Sequence, residues 1–183
     1  MIWTSIPEVA SIINCALIVD AVESYKKSKD EYKSYSKYLS INKLKADDVL
    51  NKTIKFMRIL SSTIVDDGTQ YNTEDRVTYL AVPKSLIWDQ EVGDKFRMAN
   101  WVSTYGHKDA VDKFDKDSNY IILKFNIKAE CYNAGMINKF GESQYPDKEE
   151  TLIPPYTIIE FKSIESGGKY ITLDVVKDNK SPA

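Results

Sequence analysis

Acidic residues gather between Asp147 and Glu150, where three carboxylates follow the turn-forming pair Tyr145-Pro146. The cluster runs directly into the apolar, strand-like pair Leu152-Ile153. A carboxylate at such a junction of loop and strand can be held rigidly beside a cleft, as a catalytic carboxylate must be. The alternative is a solvated, charged loop, and composition alone favours this second interpretation.

Other common catalytic signatures are missing from the sequence. It contains neither a phosphate-binding glycine loop nor a G-x-S-x-G elbow, and His107 is its only histidine. Because Lys108 and Asp109 follow it, an exposed place at a helix start explains His107 better than a general base does. Cys15 and Cys131 lack the paired spacing of a zinc site, so we expect two buried thiols and no metal.

Length and charge narrow the class of protein. The chain has 183 residues, 43% of them hydrophobic, which favours one domain spanning residues 1–183. The 25 basic and 27 acidic residues leave a net charge of -2, so no global field favours nucleic acid or an anionic membrane. The apolar stretch from Val9 to Val19 is shorter than the roughly 20 residues of a membrane span and predicts a buried helix.

Helix signals dominate residues 1–65. Ser5 and Glu8 have the spacing of a capping box at the start of the first helix, and residues 47–62 show helical apolar spacing. The lysine- and tyrosine-rich residues 25–38 resemble a base-stacking, phosphate-binding segment, but a helix with core-edge tyrosines and solvated lysines explains them better. A polar segment, residues 66–75, ends this helical part.

Strand patterns dominate residues 66–183. Five segments are rich in β-branched and aromatic residues: 77–82, 95–102, 119–128, 156–163 and 169–176. A short helix is predicted between His107 and Phe114. Helices first and a mostly antiparallel sheet afterwards predict an α+β fold.

Two segments resemble arginine-directed mono-ADP-ribosyltransferases and related bacterial toxins. Residues 137–140 and 145–156 are similar to the E-x-E loop of that family and the strand after it. Upstream, residues 93–97, 101–104 and 110–114 are similar to its aromatic-x-Ser-Thr-Ser strand and the helix that follows. The resemblance implies two sheets around a cleft and NAD as the substrate.

The resemblance also implies roles for particular residues. Nicotinamide leaves the ribose of NAD through an oxocarbenium-like state, and a carboxylate beside the ribose stabilises the positive charge. Glu150 matches the essential glutamate of the family, and Ser103, followed by Thr104, matches its first serine. Tyr79 and Leu80 match the tyrosine-arginine pair of the first core strand, where the arginine binds the diphosphate of NAD.

Three positions differ from the family pattern. Leu80 stands where the arginine is expected and cannot donate to phosphate, although Arg76 shares its strand face about 13 Å away. Tyr105 replaces the last serine of the Ser-Thr-Ser motif. Lys148 occupies the acceptor-side position, where its charge disfavours an approaching guanidinium.

Two functions are consistent with this pattern. One is an NAD-dependent ADP-ribosyltransferase, a glycosyltransferase in the broad sense, or an NAD glycohydrolase with an atypical site. The other is a pseudoenzyme of the same fold that binds a protein partner. The resemblance implies a soluble toxin or effector that is secreted or delivered into a host cell, with a protein as acceptor or partner.

Overall fold

A computed structural model describes residues 7–21, 30–71, 73–86, 91–136, 149–165 and 167–176. Within these ranges, three α-helices precede the strands, and α1 begins at a proline, which suits a first helical position because it has no N–H to leave unpaired. Ser5 of the predicted capping box lies outside the described residues. The helices are α1 (Pro7–Ala21), α2 (Asp30–Ile41) and α3 (Ala46–Tyr71).

Helix α3 is longer than the sequence pattern predicts. The polar segment that was expected to separate helix and sheet is helical as far as Tyr71. Gly68 costs about 1 kcal/mol relative to alanine inside a helix. Ile64 is only 3% exposed because α3 packs on the sheet there, and burial of this apolar face outweighs the local cost.

In the described part of the chain, eight strands follow the helices. A 3-10 turn (Lys84–Leu86) follows the first strand, and a second 3-10 turn (Lys108–Ala110) leads into the short helix α4 (Asp112–Asp115). The strands are β1 (Arg76–Pro83), β2 (Lys95–Arg97), β3 (Val102–Tyr105), β4 (Tyr120–Ile127), β5 (Gly135–Met136), β6 (Glu150–Ile153), β7 (Ile158–Ile164) and β8 (Tyr170–Val175).

The strands form one hydrogen-bonded sheet with the order β2-β7-β8-β4-β1-β3-β6-β5. Only the β4–β8 pair is parallel, and the other neighbours are antiparallel. One apolar cluster contains Val102 and Ile153 from one end of the sheet with Phe125 and Ile159 from the other half. The sheet therefore folds back on itself, and its two halves enclose the core.

The helices cover the opposite face of β3 and β6. Leu17 of α1 and Met57 of α3 share a buried cluster with Trp101 and Leu152. Glu150 and Leu152 are two residues apart in β6, so their side chains leave the same face of the strand. The helical layer thus packs beside the face of the sheet that carries the predicted catalytic carboxylate.

The predicted α+β fold with a mostly antiparallel core is confirmed. Four predicted strands match β1, β4, β7 and β8 to within two residues at each end. The fifth, residues 95–102, is divided between β2 and β3 because β2 pairs with β7 while β3 pairs with β6 in the other half of the sheet. Both cysteines are buried thiols outside any disulfide bond, as predicted.

Lys169 binds three backbone carbonyl oxygens in the stretch of chain from α4 to the start of β4. Its Nζ donates hydrogen bonds to the carbonyl oxygens of Phe114 at 2.8 Å, Asp117 at 2.7 Å and Tyr120 at 3.0 Å. These carbonyls belong to the end of α4 and the turn into β4, whereas Lys169 precedes β8. The Lys169 ammonium group therefore holds the connection between α4 and β4 against the start of β8, the strand that pairs with β4.

Candidate active site

The Glu150 carboxylate, which accepts a hydrogen bond from the Ser103 hydroxyl, lies where β3 and β6 pair. The antiparallel register places Tyr105 opposite Glu150 and Ser103 opposite Leu152, so Ser103 and Glu150 are diagonal neighbours on one face. Ser103 Oγ donates a hydrogen bond to Glu150 Oε1. Glu150 is only 4% exposed. The two residues that the sequence assigns to catalysis are therefore in direct contact.

On the opposite face of β3 and β6, buried threonines link the two strands. Thr104 and Thr151 are fully buried there, and Thr104 Oγ1 donates to the Thr151 carbonyl oxygen at 3.1 Å. All four residues of β6 are buried because the core covers one face and the helices cover the other. Thr104, predicted to contact NAD, thus lies on the core side of β3.

The register of β1 also determines on which face of the sheet each of its side chains lies. Tyr79 is opposite Tyr105, which is opposite Glu150, so these three residues form a row across three strands. Leu80 leaves the other face of β1 and packs against the apolar core cluster. The structure therefore brings Tyr79, but not Leu80, to the face of Ser103 and Glu150.

One paired position links β1 to β3 beside this site. Within the described strands, that position is Tyr79 opposite Tyr105. β1 is also paired with β4 as far as Pro83, and β3 is paired with β6 back to Val102. The row of Tyr79, Tyr105 and Glu150 is therefore the place where the half of the sheet that contains β4 joins the half that contains β6.

The arginine of β1 lies at the other end of the strand. Arg76 is half-buried, and this burial lowers the pKa of its guanidinium, while the carboxylates of Glu149 and Glu74 act to raise it. An arginine nevertheless keeps its charge in proteins. Arg76 leaves the same face of β1 as Leu80 and is four residues away from it, so it does not share the face of Ser103 and Glu150.

These residues match NAD in part. A buried carboxylate with a hydroxyl donor suits the ribose, where positive charge develops when nicotinamide leaves. The diphosphate requires donors, and Leu80 supplies none at the position where the family places its arginine. The site therefore fits the reacting ribose better than it fits the diphosphate.

A contact that the sequence does not predict adjoins the Glu150 carboxylate. Gly106 N donates to the Glu149 carbonyl oxygen at 3.1 Å, and Glu149 Oε1 lies 3.7 Å from His107 Nε2. Glu149 has a φ of 47°, in the left-handed region that residues with a side chain rarely adopt. His107 is exposed and precedes the second 3-10 turn, as the sequence predicts.

Replacing Gly106 with alanine is expected to displace Glu149. A Cβ at Gly106 would lie 2.6 Å from Glu149 Oε2 and 2.7 Å from its Cβ, and the Cβ cannot move without its backbone. We expect a loss of about 1–3 kcal/mol in the free energy of unfolding, measured by urea denaturation.

The matched variant is Glu149→Gly, which removes the obstructing side chain at a φ that glycine adopts freely. The double variant Gly106→Ala/Glu149→Gly should recover most of the stability that Gly106→Ala loses. A double variant that is no more stable than Gly106→Ala would show that the close approach to Glu149 is not the cause.

Some predicted site features remain outside this geometry. Lys148, the predicted acceptor-side residue, lies outside the described residues and stays a prediction. Among the described residues, no group of His, Cys, Asp or Glu side chains is arranged to hold a metal ion. No helix in the described ranges is long and apolar enough to cross a membrane.

Comparison with solved structures identifies similar folds. The Vis toxin, an ADP-ribosyltransferase from Vibrio splendidus, matches 97% of this chain and 71% of its own, with 16% identity and a TM-score of 0.55. A second ADP-ribosyltransferase, from Clostridium botulinum, matches 94% of this chain and 82% of its own, with 14% identity and a TM-score of 0.56.

A structure of Vis in complex with agmatine matches 97% of this chain and 78% of its own, with 16% identity and a TM-score of 0.50. No protein-family model and no curated protein matches the sequence. Similarity at this level of identity concerns the fold. The chain has the fold of the ADP-ribosyltransferase toxins.

Proposed function

We propose that this protein cleaves NAD at the bond between nicotinamide and ribose, as an ADP-ribosyltransferase or an NAD glycohydrolase with an atypical site. The observation that supports this most is the hydrogen bond from Ser103 to the buried carboxylate of Glu150. A buried carboxylate is costly to keep unless hydrogen bonds or ligands compensate it. Its position beside Ser103, in the fold of the ADP-ribosyltransferase toxins, favours catalysis.

In this reaction the glycosidic bond breaks and nicotinamide leaves with the bonding electron pair. Positive charge then develops on the ribose ring, and the Glu150 carboxylate stabilises it. Ser103 fixes the rotamer of Glu150 through its hydrogen bond. A nucleophile, either water or an acceptor group, attacks the anomeric carbon and releases a proton to solvent or to a carboxylate.

The missing diphosphate donor affects binding more than chemistry. A charge-assisted hydrogen bond to phosphate contributes roughly 1.5–3 kcal/mol, so its loss weakens NAD binding by about one to two decades. We therefore expect a high KM for NAD. Lys148 at the acceptor side disfavours a protein arginine as acceptor, which makes water or a smaller nucleophile the preferred acceptor.

The second candidate is a non-catalytic domain that binds a protein partner. The packing of Leu80 against the core cluster favours it, because an apolar residue there closes the position that binds diphosphate in the family. Tyr105 in place of a serine changes a second site position. Either function suits a toxin or effector that acts as a single domain of this fold.

Calorimetric titration with NAD and an assay of nicotinamide release distinguish these candidates. The enzyme is expected to release nicotinamide with saturation kinetics, and adding agmatine as a small guanidine acceptor tests transfer against hydrolysis. A covalent ADP-ribosyl-agmatine product indicates transfer to a guanidinium group, whereas free ADP-ribose alone indicates that water is preferred to a guanidinium acceptor, as expected with Lys148 at the acceptor side. Flat results in the titration and in the assay would rule out the catalytic proposal.

A further inference from the structure

The side chain of Asn14, on helix α1, is hydrogen-bonded to the backbone just before β3. Trp101 N donates to Asn14 Oδ1 at 3.0 Å, and Asn14 Nδ2 donates to the Trp101 carbonyl oxygen at 3.3 Å. Both backbone groups of one residue are thus bound by one amide side chain. An antiparallel strand makes the same reciprocal exchange with a hydrogen-bonded partner residue.

The neighbouring strands are poorly placed to make these contacts. Continuing the β3–β6 register by one residue sets Trp101 opposite Pro154, which has no N–H to donate. On the other side, β3 is paired with β1 only at Tyr105 within the described strands, four residues further along. The amide of Asn14 therefore takes the place of a strand where β3 begins.

This contact lies close to the catalytic pair. Trp101 precedes Ser103 by two residues, or about 7 Å along an extended strand. The Trp101 side chain is 2% exposed and shares a buried cluster with Leu17 of α1 and Leu152 of β6. Helix α1 therefore reaches the segment of Ser103 through the hydrogen bonds of Asn14 to the Trp101 backbone. It reaches the strand of Glu150 through the apolar packing of Leu17 with Leu152.

We propose that Asn14 is a positioning residue for the Ser103–Glu150 pair, which makes helix α1 part of the active-site framework. This inference rests on the proposed NAD-cleaving function. Asn14 acts through the backbone of Trp101. It fixes the position and direction of the start of β3, so that Ser103 meets the Glu150 carboxylate in one geometry. A small displacement of a reacting group is enough to lower turnover, since a misplacement of about 1 Å can cost about 100-fold.

The first test compares the kinetics of three variants. Asn14→Ala is expected to lower kcat for nicotinamide release about tenfold while KM for NAD stays within about twofold, because the change affects the reacting geometry rather than substrate contacts. Asn100→Ala is the matched control. Asn100 Nδ2 also donates to the Trp101 carbonyl oxygen at 3.3 Å, but it belongs to the same segment of chain and cannot anchor it to α1.

Tyr35→Ala is the control for stability, because it weakens the packing of α1 on α2 in the separate cluster that contains Cys15 and Ala16. Both control variants should retain kcat within about twofold at a temperature where they are folded. Equal loss of kcat in Asn14→Ala and Tyr35→Ala would overturn the proposal, because it would reduce the role of Asn14 to general stability.

The second test does not require NAD. Hydrogen exchange of the Trp101 amide is expected to become at least tenfold faster in Asn14→Ala, while amides in the middle of β8 keep the wild-type rate. If the wild-type protein releases no nicotinamide, the proposed function fails, and this measurement still tests the anchoring of β3. An unchanged Trp101 exchange rate would overturn the positioning role itself.

Asn14→Asp covers the case in which Asn14→Ala does not fold. The aspartate retains the acceptor for Trp101 N but loses the donor, and its charge faces the Trp101 carbonyl oxygen. Protonation restores a donor. The difference in melting temperature between Asn14→Asp and the wild type should therefore shrink as the pH is lowered from 7 to about 4. A difference that is independent of pH would contradict the proposed contact.

Discussion

Replacing Glu150 with glutamine is expected to lower the rate of nicotinamide release by about 100- to 1,000-fold, in line with the loss of one electrostatic group at a developing charge. The amide has nearly the same shape and still accepts the Ser103 hydrogen bond. Only the negative charge is removed. We therefore expect kcat to fall while NAD binding, measured by calorimetry, changes little.

The adjacent carboxylate provides the matched control for this experiment. Glu149 precedes β6, and its side chain is 50% exposed beside His107. Glu149→Gln removes the same charge one residue away and is expected to retain kcat within about threefold. Ser103→Ala should give an intermediate loss of about tenfold, because Glu150 keeps its charge but loses its fixed rotamer. Full activity in Glu150→Gln would exclude this carboxylate as the catalytic group.

Replacing Lys169 with methionine is expected to lower the free energy of unfolding by about 2–3 kcal/mol. Methionine retains most of the apolar stem but has no donor, so three backbone carbonyl oxygens lose their common partner. Hydrogen bonds from a charged donor are among the stronger ones in proteins, and partly buried acceptors are costly to leave unpaired. Urea denaturation followed by circular dichroism measures this difference.

Lys162 is the matched control for Lys169. It also binds two partners, Glu160 at 2.6 Å and Asp174 at 3.7 Å, but its side chain is 42% exposed on the outer face of the sheet. Lys162→Met should cost less than about 1 kcal/mol, as surface ion pairs usually do. Equal destabilisation by the two substitutions would show that the carbonyl contacts of Lys169 contribute no more than a surface pair.

Local patterns in the sequence predict most of the strands of this fold. Strands β1, β4, β7 and β8 can be recognised because they are rich in β-branched and aromatic residues. Residues 95–102 also have a strand-like composition but cross from one half of the sheet to the other. Pairing partners are set by contacts between distant residues, which a local pattern does not contain.

The residues of the candidate site likewise differ in whether a local sequence pattern predicts them. Ser103 and Glu150 follow from motif resemblance, and the structure places them in contact although 47 residues separate them. Leu80 follows from the same motif, but the register turns it toward the core. Gly106 carries no motif and is recognisable only once Glu149 is seen against it. Asn14 was also missed, because its partner Trp101 lies 87 residues away.

The position of β8 has a consequence for how the chain acquires this structure during synthesis. Although it is the last described strand, β8 lies inside the sheet, between β4 and β7. Until residues 170–175 have left the ribosome, β7 and β2 lack the strand that pairs them with β4, and the core cluster lacks Leu173 and Val175. A chain interrupted before β8 would expose apolar surface and strand edges, which favour aggregation. The two halves of the sheet therefore become one hydrogen-bonded sheet only when β8 is inserted between them.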